Sequence, residues 1–238
     1  MKKVIVLLSF IFLLVGCGKK SDEIVMVTEA GFAPYEFYEN GEVIGVDIEI
    51  SKKIADKLGK KLVIKDVAFD SIINELNSGK ADFAAAGMSI DPERSEKVDF
   101  SIEYITSNQV VVVKKDSDIK SIDDIKDKRI SVQLGTVADT YVTKNYKDAK
   151  INRLKKFLVA AEDVKNNKSD CIVMDAIPAN ELVKSNPELK VLDGILFQDK
   201  YGMAVKKGNK ELLNSINLVL EELIKDGKID EYIIKFSE

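Results

Sequence analysis

The sequence predicts an α/β protein built from two successive α/β units. Two observations carry this reading. Short Val- and Ile-rich runs alternate with stretches whose apolar residues recur at helical spacing, the signature of parallel sheets with helices on their faces. The same alternation starts afresh near residue 109, with no low-complexity linker between the halves.

In the first half, EIVMVT (23–28) reads as a strand. The turn segment that follows contains Asn40-Gly41, a tight-turn pair. Asp47 is expected to cap a helix, DIEISKKIADKLG, in which Ile50, Ile54 and Leu58 share a face and Gly59 closes the end. KLVIKDV (61–67) is a second strand, and 69–80 a second helix, capped by Asp70 and stopped by Gly79. DFAAAG (82–87) completes a βαβαβ run. Asp91-Pro92 then opens a short helix carrying Arg94.

In the second half, QVVVVKK (109–115), RISVQL (129–134), KINRL (150–154), DCIVMD (170–175) and YGMAV (201–205) read as strands. Between them lie SIDD, a capping-box start, and helical stretches after Gly135-Thr136, around VAAEDVKNN and from AIPANELVKS. The tail from 209 to 236 reads as two helices broken at Gly227. The strands at 109–115 and 201–205 are the expected crossings between units, which makes the second unit an insertion in the first.

Composition excludes several functions. The net charge is −4 with no long basic run, which argues against a nucleic-acid surface. The chain has no histidine and only two cysteines, so neither a His-dependent triad nor a zinc cluster is available; no metal, cofactor or catalytic residue is expected. The first residues differ from the rest. Lys2-Lys3, an apolar run from Val4 to Val15 and then Gly16-Cys17 fit an export signal too short to span a membrane. Residues 14–17 look like a bacterial lipobox, so residues 1–17 are expected to be a lipoprotein signal with Cys17 lipidated, and 18–22 a tether. Cys171, in an apolar run, is then a buried structural thiol with no partner.

Of 36 basic residues only Arg94, Arg129 and Arg153 are arginine. A guanidinium grips a carboxylate with two parallel hydrogen bonds, which lysine cannot do, so Arg94 suggests a carboxylate partner. Ligands of open α/β sheets bind at the carboxyl ends of strands. Those ends carry Glu29 and Phe32, Phe69, then Gly87, Ser89 and Arg94, then Gln133, Gly135, Thr136 and Val137, and finally Asp175. Each has a bland alternative: Arg94 pairing with Glu93 or Glu96, Asp175 or Thr136 as plain helix caps, the phenylalanines as core. Together they supply an Arg fork and a helix N-terminus for an anion, acids for a cation, and rings for a side chain. That inventory describes an α-amino acid zwitterion.

The segments GFAPYEF, GEVIGVDIEI, AFDSIINELNSGKADFAAAGMSIDPERSEKVDFSIEY, QLGTVADTY and DCIVMDAIPA, in this order behind a lipobox, resemble the bacterial extracellular solute-binding proteins of family 3. The resemblance covers the whole chain after the signal. It implies a two-lobed fold of the type II periplasmic-binding-protein kind, with a ligand cleft between lobes joined by two hinge strands. It places lobe 1 at 23–108 and 203–238 and lobe 2 at 109–202, with hinges near 108–110 and 201–202. It also implies roles. Arg94, Ser89, Thr136 and Val137 hold the ligand carboxylate; Asp175 and Gly87 hold its ammonium; Glu29, Phe32, Phe69 and Gln133 form the side-chain pocket, Phe32 and Phe69 as the aromatic sandwich. Asp91 and Val137 depart from the usual residues, adding a second acid near the carboxylate grip and removing a hydroxyl.

The implied function is the substrate-binding lipoprotein of an ABC importer. It faces the periplasm or exterior, held to the membrane by its lipid anchor, and serves permease and ATPase subunits. The expected ligand is a polar L-amino acid: basic first, then glutamine or another polar one, then cystine. Other readings of the same architecture are an amino-acid-sensing receptor and a dehydratase with Glu29 or Asp175 as general acid.

Overall fold

A computed structural model describes residues 22–237; Cys17 and the rest of the signal and tether up to residue 21 lie outside the described residues. In chain order the elements are β1 (Glu23–Thr28), β2 (Gly31–Phe32), β3 (Glu36–Glu39), β4 (Glu42–Ile44), α1 (Val46–Leu58), β5 (Lys61–Asp66), α2 (Ile72–Asn77), β6 (Phe83–Ala84), α3 (Pro92–Ser95) and β7 (Val98–Phe100). These are followed by β8 (Ile105–Lys114), β9 (Arg129–Gln133), α4 (Val137–Asn145), β10 (Lys150–Leu154), α5 (Phe157–Lys165), β11 (Cys171–Asp175) and α6 (Ala176–Lys184). The chain ends with β12 (Leu189–Val191), β13 (Phe197–Tyr201), β14 (Ala204–Lys206), α7 (Lys210–Lys225) and α8 (Lys228–Ser237).

Two sheets form. The first runs β5-β1-β6-β14-β7, with β1 parallel to β5 and β6 and with β14 antiparallel to both its neighbours. The second runs β10-β9-β11-β8-β12, with β13 also paired to β8. Its βαβ strands β9, β10 and β11 are parallel, and β8 is antiparallel to β11. This is the two-lobed type II architecture. The four consecutive valines of β8 are explained by covering on both faces: Val110 and Val112 enter one core cluster, Val111 and Val113 another.

Sheet membership changes between Phe100 and Ile105 and again between Tyr201 and Ala204. The two crossings are tied to each other: Ser101 N–H donates to Met203 O at 2.8 Å, Met203 N–H to Ser101 Oγ at 2.9 Å, and Tyr104 N–H to Tyr201 O at 3.1 Å. The long strand β8 starts four residues before Gln109.

Local chemistry accounts for most boundaries. Asn40 and Gly41 both take positive φ, 51° and 85°, and turn β3 into β4. Gly59 ends α1 in the left-handed conformation. Asp91 caps α3 through Glu93 and Arg94 N–H, and Ser121 and Asp124 form a reciprocal capping box. Two expected caps are not caps. Gly45 occupies the N-cap of α1, and Asp47 lies inside the first turn, where its carboxylate turns inward to Gly87 N–H at 3.0 Å. The 69–71 segment forms a 3₁₀ turn, and α2 begins only at Ile72 with no side-chain cap from Asp70. The third strand is also shorter than expected, Phe83–Ala84, because the chain leaves the sheet to build the wall from Gly87 to Ser89.

Gly45 has φ 130° and ψ −178°, a region open almost only to glycine. A Cβ there would stand 2.2 Å from Tyr35 O and 2.8 Å from Pro34 O, the carbonyls that accept the first helical N–H groups of α1. Gly45→Ala is therefore expected to destabilise the fold by about 3 kcal/mol or more, about a 10 °C fall in Tm by calorimetry.

Candidate functional site

Thirteen residues from the two large units line one narrow cavity. All ten binding residues expected from the sequence line it: Glu29, Phe32, Phe69, Gly87, Ser89, Arg94, Gln133, Thr136, Val137 and Asp175. Glu36, Ala86 and Phe157 complete the lining and were not anticipated. A larger open groove lies beside it, lined by Phe37, Ile44, Leu158, Leu182 and Phe236; its charged groups, Glu39, Glu181 and Lys235, make no converging set.

Arg94 is positioned by α3, whose cap Asp91 also pairs with its Nε at 3.0 Å. Glu93 and Glu96 are not its partners; Glu93 pairs with Lys97. One terminal nitrogen donates to Ser89 O at 2.7 Å and the other to Gly135 O at 2.9 Å. Guanidinium carries five N–H donors. These contacts leave a further N–H on each terminal nitrogen for a ligand carboxylate. Phe69 lies under the guanidinium, 5.3 Å from ring centroid to Cζ, and holds it flat.

Asp175 sits at the N-cap of α6, yet its side chain makes no capping bond. Its carboxylate instead accepts hydrogen bonds from Ser107 Oγ at 2.7 Å and from the Tyr201 hydroxyl. It is 9% exposed, and burial raises its pKa. Asp199, on β13, accepts hydrogen bonds from Ser89 Oγ and from Gln109 Nε2 at 3.4 Å; burial, then the nearby Asp175 charge, push it up to about 6. Of the two, Asp175 lines the cavity and is the one placed for a cation. An ammonium binds the ionised form of Asp175, whose pKa burial raises, so binding is complete well above that pKa and is lost as pH falls through it. The dissociation constant is expected to rise as pH falls, as calorimetry from pH 8 to 5 would show.

Gly87 has φ 50°, and a Cβ there would meet the Phe32 ring at 2.7 Å. Its N–H is committed to Asp47, which also accepts from the Tyr104 hydroxyl at 2.8 Å; this leaves the Gly87 carbonyl for a ligand. Asp47 is fully buried and is pushed up to about 6 by that burial, while its Gly87 and Tyr104 partners favour its ionised form. Glu36, buried against it, is held well above the usual range by burial and then by the Asp47 charge.

The 135–137 turn is more self-contained than a free anion nest. Gly135 N–H donates to Asp139 at 3.3 Å, and Thr136 N–H and Oγ1 both donate to Gln133 O, at 3.3 and 2.8 Å. The unpartnered donors start at Val137, the first residue of α4. At the other end of the cavity, Glu29 is 2% exposed. Its Oε2 accepts from Gln133 Nε2 at 3.0 Å, and its Oε1 lies 3.2 Å from Lys156 Nζ without hydrogen-bond alignment. Phe32 stacks on Phe157, centroids 5.7 Å apart and planes 27° apart. Glu29 to Gln133, Arg94 to Gly135 and Phe32 to Phe157 each join the first-sheet unit to the second, so the cavity is walled by both.

The profile of the bacterial extracellular solute-binding proteins, family 3, matches residues 24–238. The chain belongs to this family. It is 30% identical over 237 residues to the arginine-binding extracellular protein ArtP of Bacillus subtilis, covering 92% of this chain and 91% of that protein. It is 33% identical over 213 residues to the ABC transporter arginine-binding protein 1 of Escherichia coli, covering 87% of each. Among solved structures, an ancestral arginine-binding protein bound to arginine superposes with a TM-score of 0.85 at 42% identity, over 90% of this chain and 98% of that one. Other members similar to this chain are named for cystine, histidine and glutamine. These relatives are named as amino-acid-binding proteins, several of them of ABC transporters, and not as enzymes.

The residues missed in the sequence have traceable signals. Phe157 follows Lys155-Lys156 at the start of α5, where an aromatic reads as ordinary core. Glu36 alternates with Tyr35 and Phe37, and an acid between two aromatics in a strand is a solvent-side pattern unless the strand is covered.

Proposed function

We propose that this family 3 protein is the substrate-binding lipoprotein of an ABC importer and that it captures a basic L-amino acid, L-arginine first. The observation that carries the reading is that the guanidinium of Arg94, with an N–H left on each terminal nitrogen, and the non-capping carboxylate of Asp175 line one cavity. A zwitterion satisfies both at once. The ligand carboxylate goes to Arg94, the Ser89 backbone N–H and the N–H groups from Val137; the ammonium goes to Asp175 and the Gly87 carbonyl. Thr136 keeps its turn bonds and supplies shape. The side chain runs between Phe32 and Phe69 toward Glu29 and Gln133. Glu29 and the names of the arginine-binding relatives support a basic tail.

Residues 23–108 and 203–238 act as one lobe and 109–202 as the other, with bending absorbed near 108–110 and 201–202. The first lobe binds through Arg94, and the second closes with Asp175. Cys17, outside the described residues, carries the lipid that keeps the protein at the membrane beside its permease and ATPase. Thermal shift across the twenty amino acids plus ornithine, citrulline and cystine, on protein unfolded and refolded to strip carried ligand, tests this. L-arginine at 100 times its dissociation constant is expected to stabilise by about 2.7 kcal/mol, more than glutamine or cystine at equal concentration. A flat response to every amino acid would remove the proposal.

A further inference from the structure

Lys156 stands where a helix start should not have a lysine. It is the N-cap of α5, makes no side-chain capping bond, and brings a positive charge to the positive end of the helix. A residue that breaks a local rule is expected to be retained for something else. Its Nζ reaches from the second-sheet unit to Glu29 of the first, 3.2 Å from Oε1. The next residue, Phe157, is fixed against Phe32 in the cavity wall, so the Lys156 backbone is held at the rim. The side chain itself is 45% exposed, against 3% for Glu29. The contact is a charge contact without hydrogen-bond alignment, since Glu29 Oε1 has no aligned donor, whereas Oε2 is bonded by Gln133. Asp66 is near enough to add its charge to that felt by Lys156, which gives the ammonium an alternative neighbour outside the cavity.

We propose that Lys156 and a cationic ligand tail compete for Oε1 of Glu29, so that Lys156 sets how strongly the site prefers a basic over a neutral side chain. The proposal rests on the reading of Glu29 as the side-chain end of the pocket. With Lys156 in place, a neutral tail binds over an already paired Glu29, and a basic tail must first displace the lysine into solvent. Without it, the buried carboxylate is open to the ligand cation alone.

The test is calorimetry on the full chain in mild detergent at pH 7.5, with L-arginine and L-citrulline, its neutral urea analogue. Lys156→Met keeps the stem and removes the charge; Lys156→Ser supplies an ordinary helix cap. Both are expected to bind arginine about five- to tenfold more tightly and citrulline within about twofold of the unaltered protein. In a Glu29→Gln background, Lys156→Met is expected to change neither. An unchanged arginine-to-citrulline ratio, or equal loss of both ligands, would overturn the proposal and make Lys156 a plain closing contact. Failure of the unaltered protein to bind either ligand would remove the pocket reading itself, and this proposal with it.

Discussion

Arg94→Ala is expected to weaken amino-acid binding by two to three decades, about 3–4 kcal/mol. The size follows from what is left behind. The ligand carboxylate would enter an enclosed cavity with Asp91 and Asp199 close by and no cation to offset them. A buried charge whose partner is removed loses more than the pair's net worth, because its desolvation is no longer compensated. Arg94→Lys separates charge from geometry. It keeps the charge but cannot donate to Ser89 O and Gly135 O while offering a parallel pair to a carboxylate, so at least a tenfold loss is expected to remain. Calorimetric titration with the preferred amino acid measures both, and wild-type affinity in either variant would contradict the assignment.

Asp175→Asn is the second large effect. The amide still accepts hydrogen bonds from Ser107 and Tyr201, so the local geometry is kept and the negative charge is lost. Binding is expected to fall about a hundredfold, since the ammonium then faces a neutral group in a dry site. Stability moves the opposite way. Asp175 is buried, with burial as the leading cause of its raised pKa, so removing its charge relieves a desolvation penalty. At pH 8 the ligand-free Asn variant is expected to melt at or above the temperature of the unaltered protein. Tighter or equal binding, or a large loss of melting temperature with weak binding, would mean that Asp175 serves the fold rather than the ligand. A cleft built to hold an uncompensated carboxylate sacrifices stability for affinity, the usual trade at binding sites.

Much of this was legible from the residues. The βαβ alternation was readable because buried parallel strands are continuous apolar runs, as in β8 and β11, and because Gly59, Gly227 and the Asn40-Gly41 pair act through local backbone conformation. The cavity lining was legible because binding residues fall where strands end. What escaped was set by tertiary contacts. Asp47 looks like a cap, but its first-turn position points it inward to Gly87 and Tyr104. Phe157 and Lys156 join the site only because α5 packs against Phe32 and Glu29 from the other unit, a neighbour relation over a hundred residues long. Asp199 meets Ser89 and Gln109 only through the antiparallel pairing of β13 with β8. Sequence periodicity carries no information about such pairings.

The central claim is that this protein recognises the α-amino acid head through Arg94 and Asp175 and not merely a cationic tail. The most direct measurement is calorimetric titration of the refolded protein with L-arginine set against agmatine, the same molecule without its carboxylate. Tight binding of arginine, with agmatine weaker by about a hundredfold or more, is the predicted result. Equal affinity for the two would show that the Arg94 fork takes no part in recognition and would contradict the account.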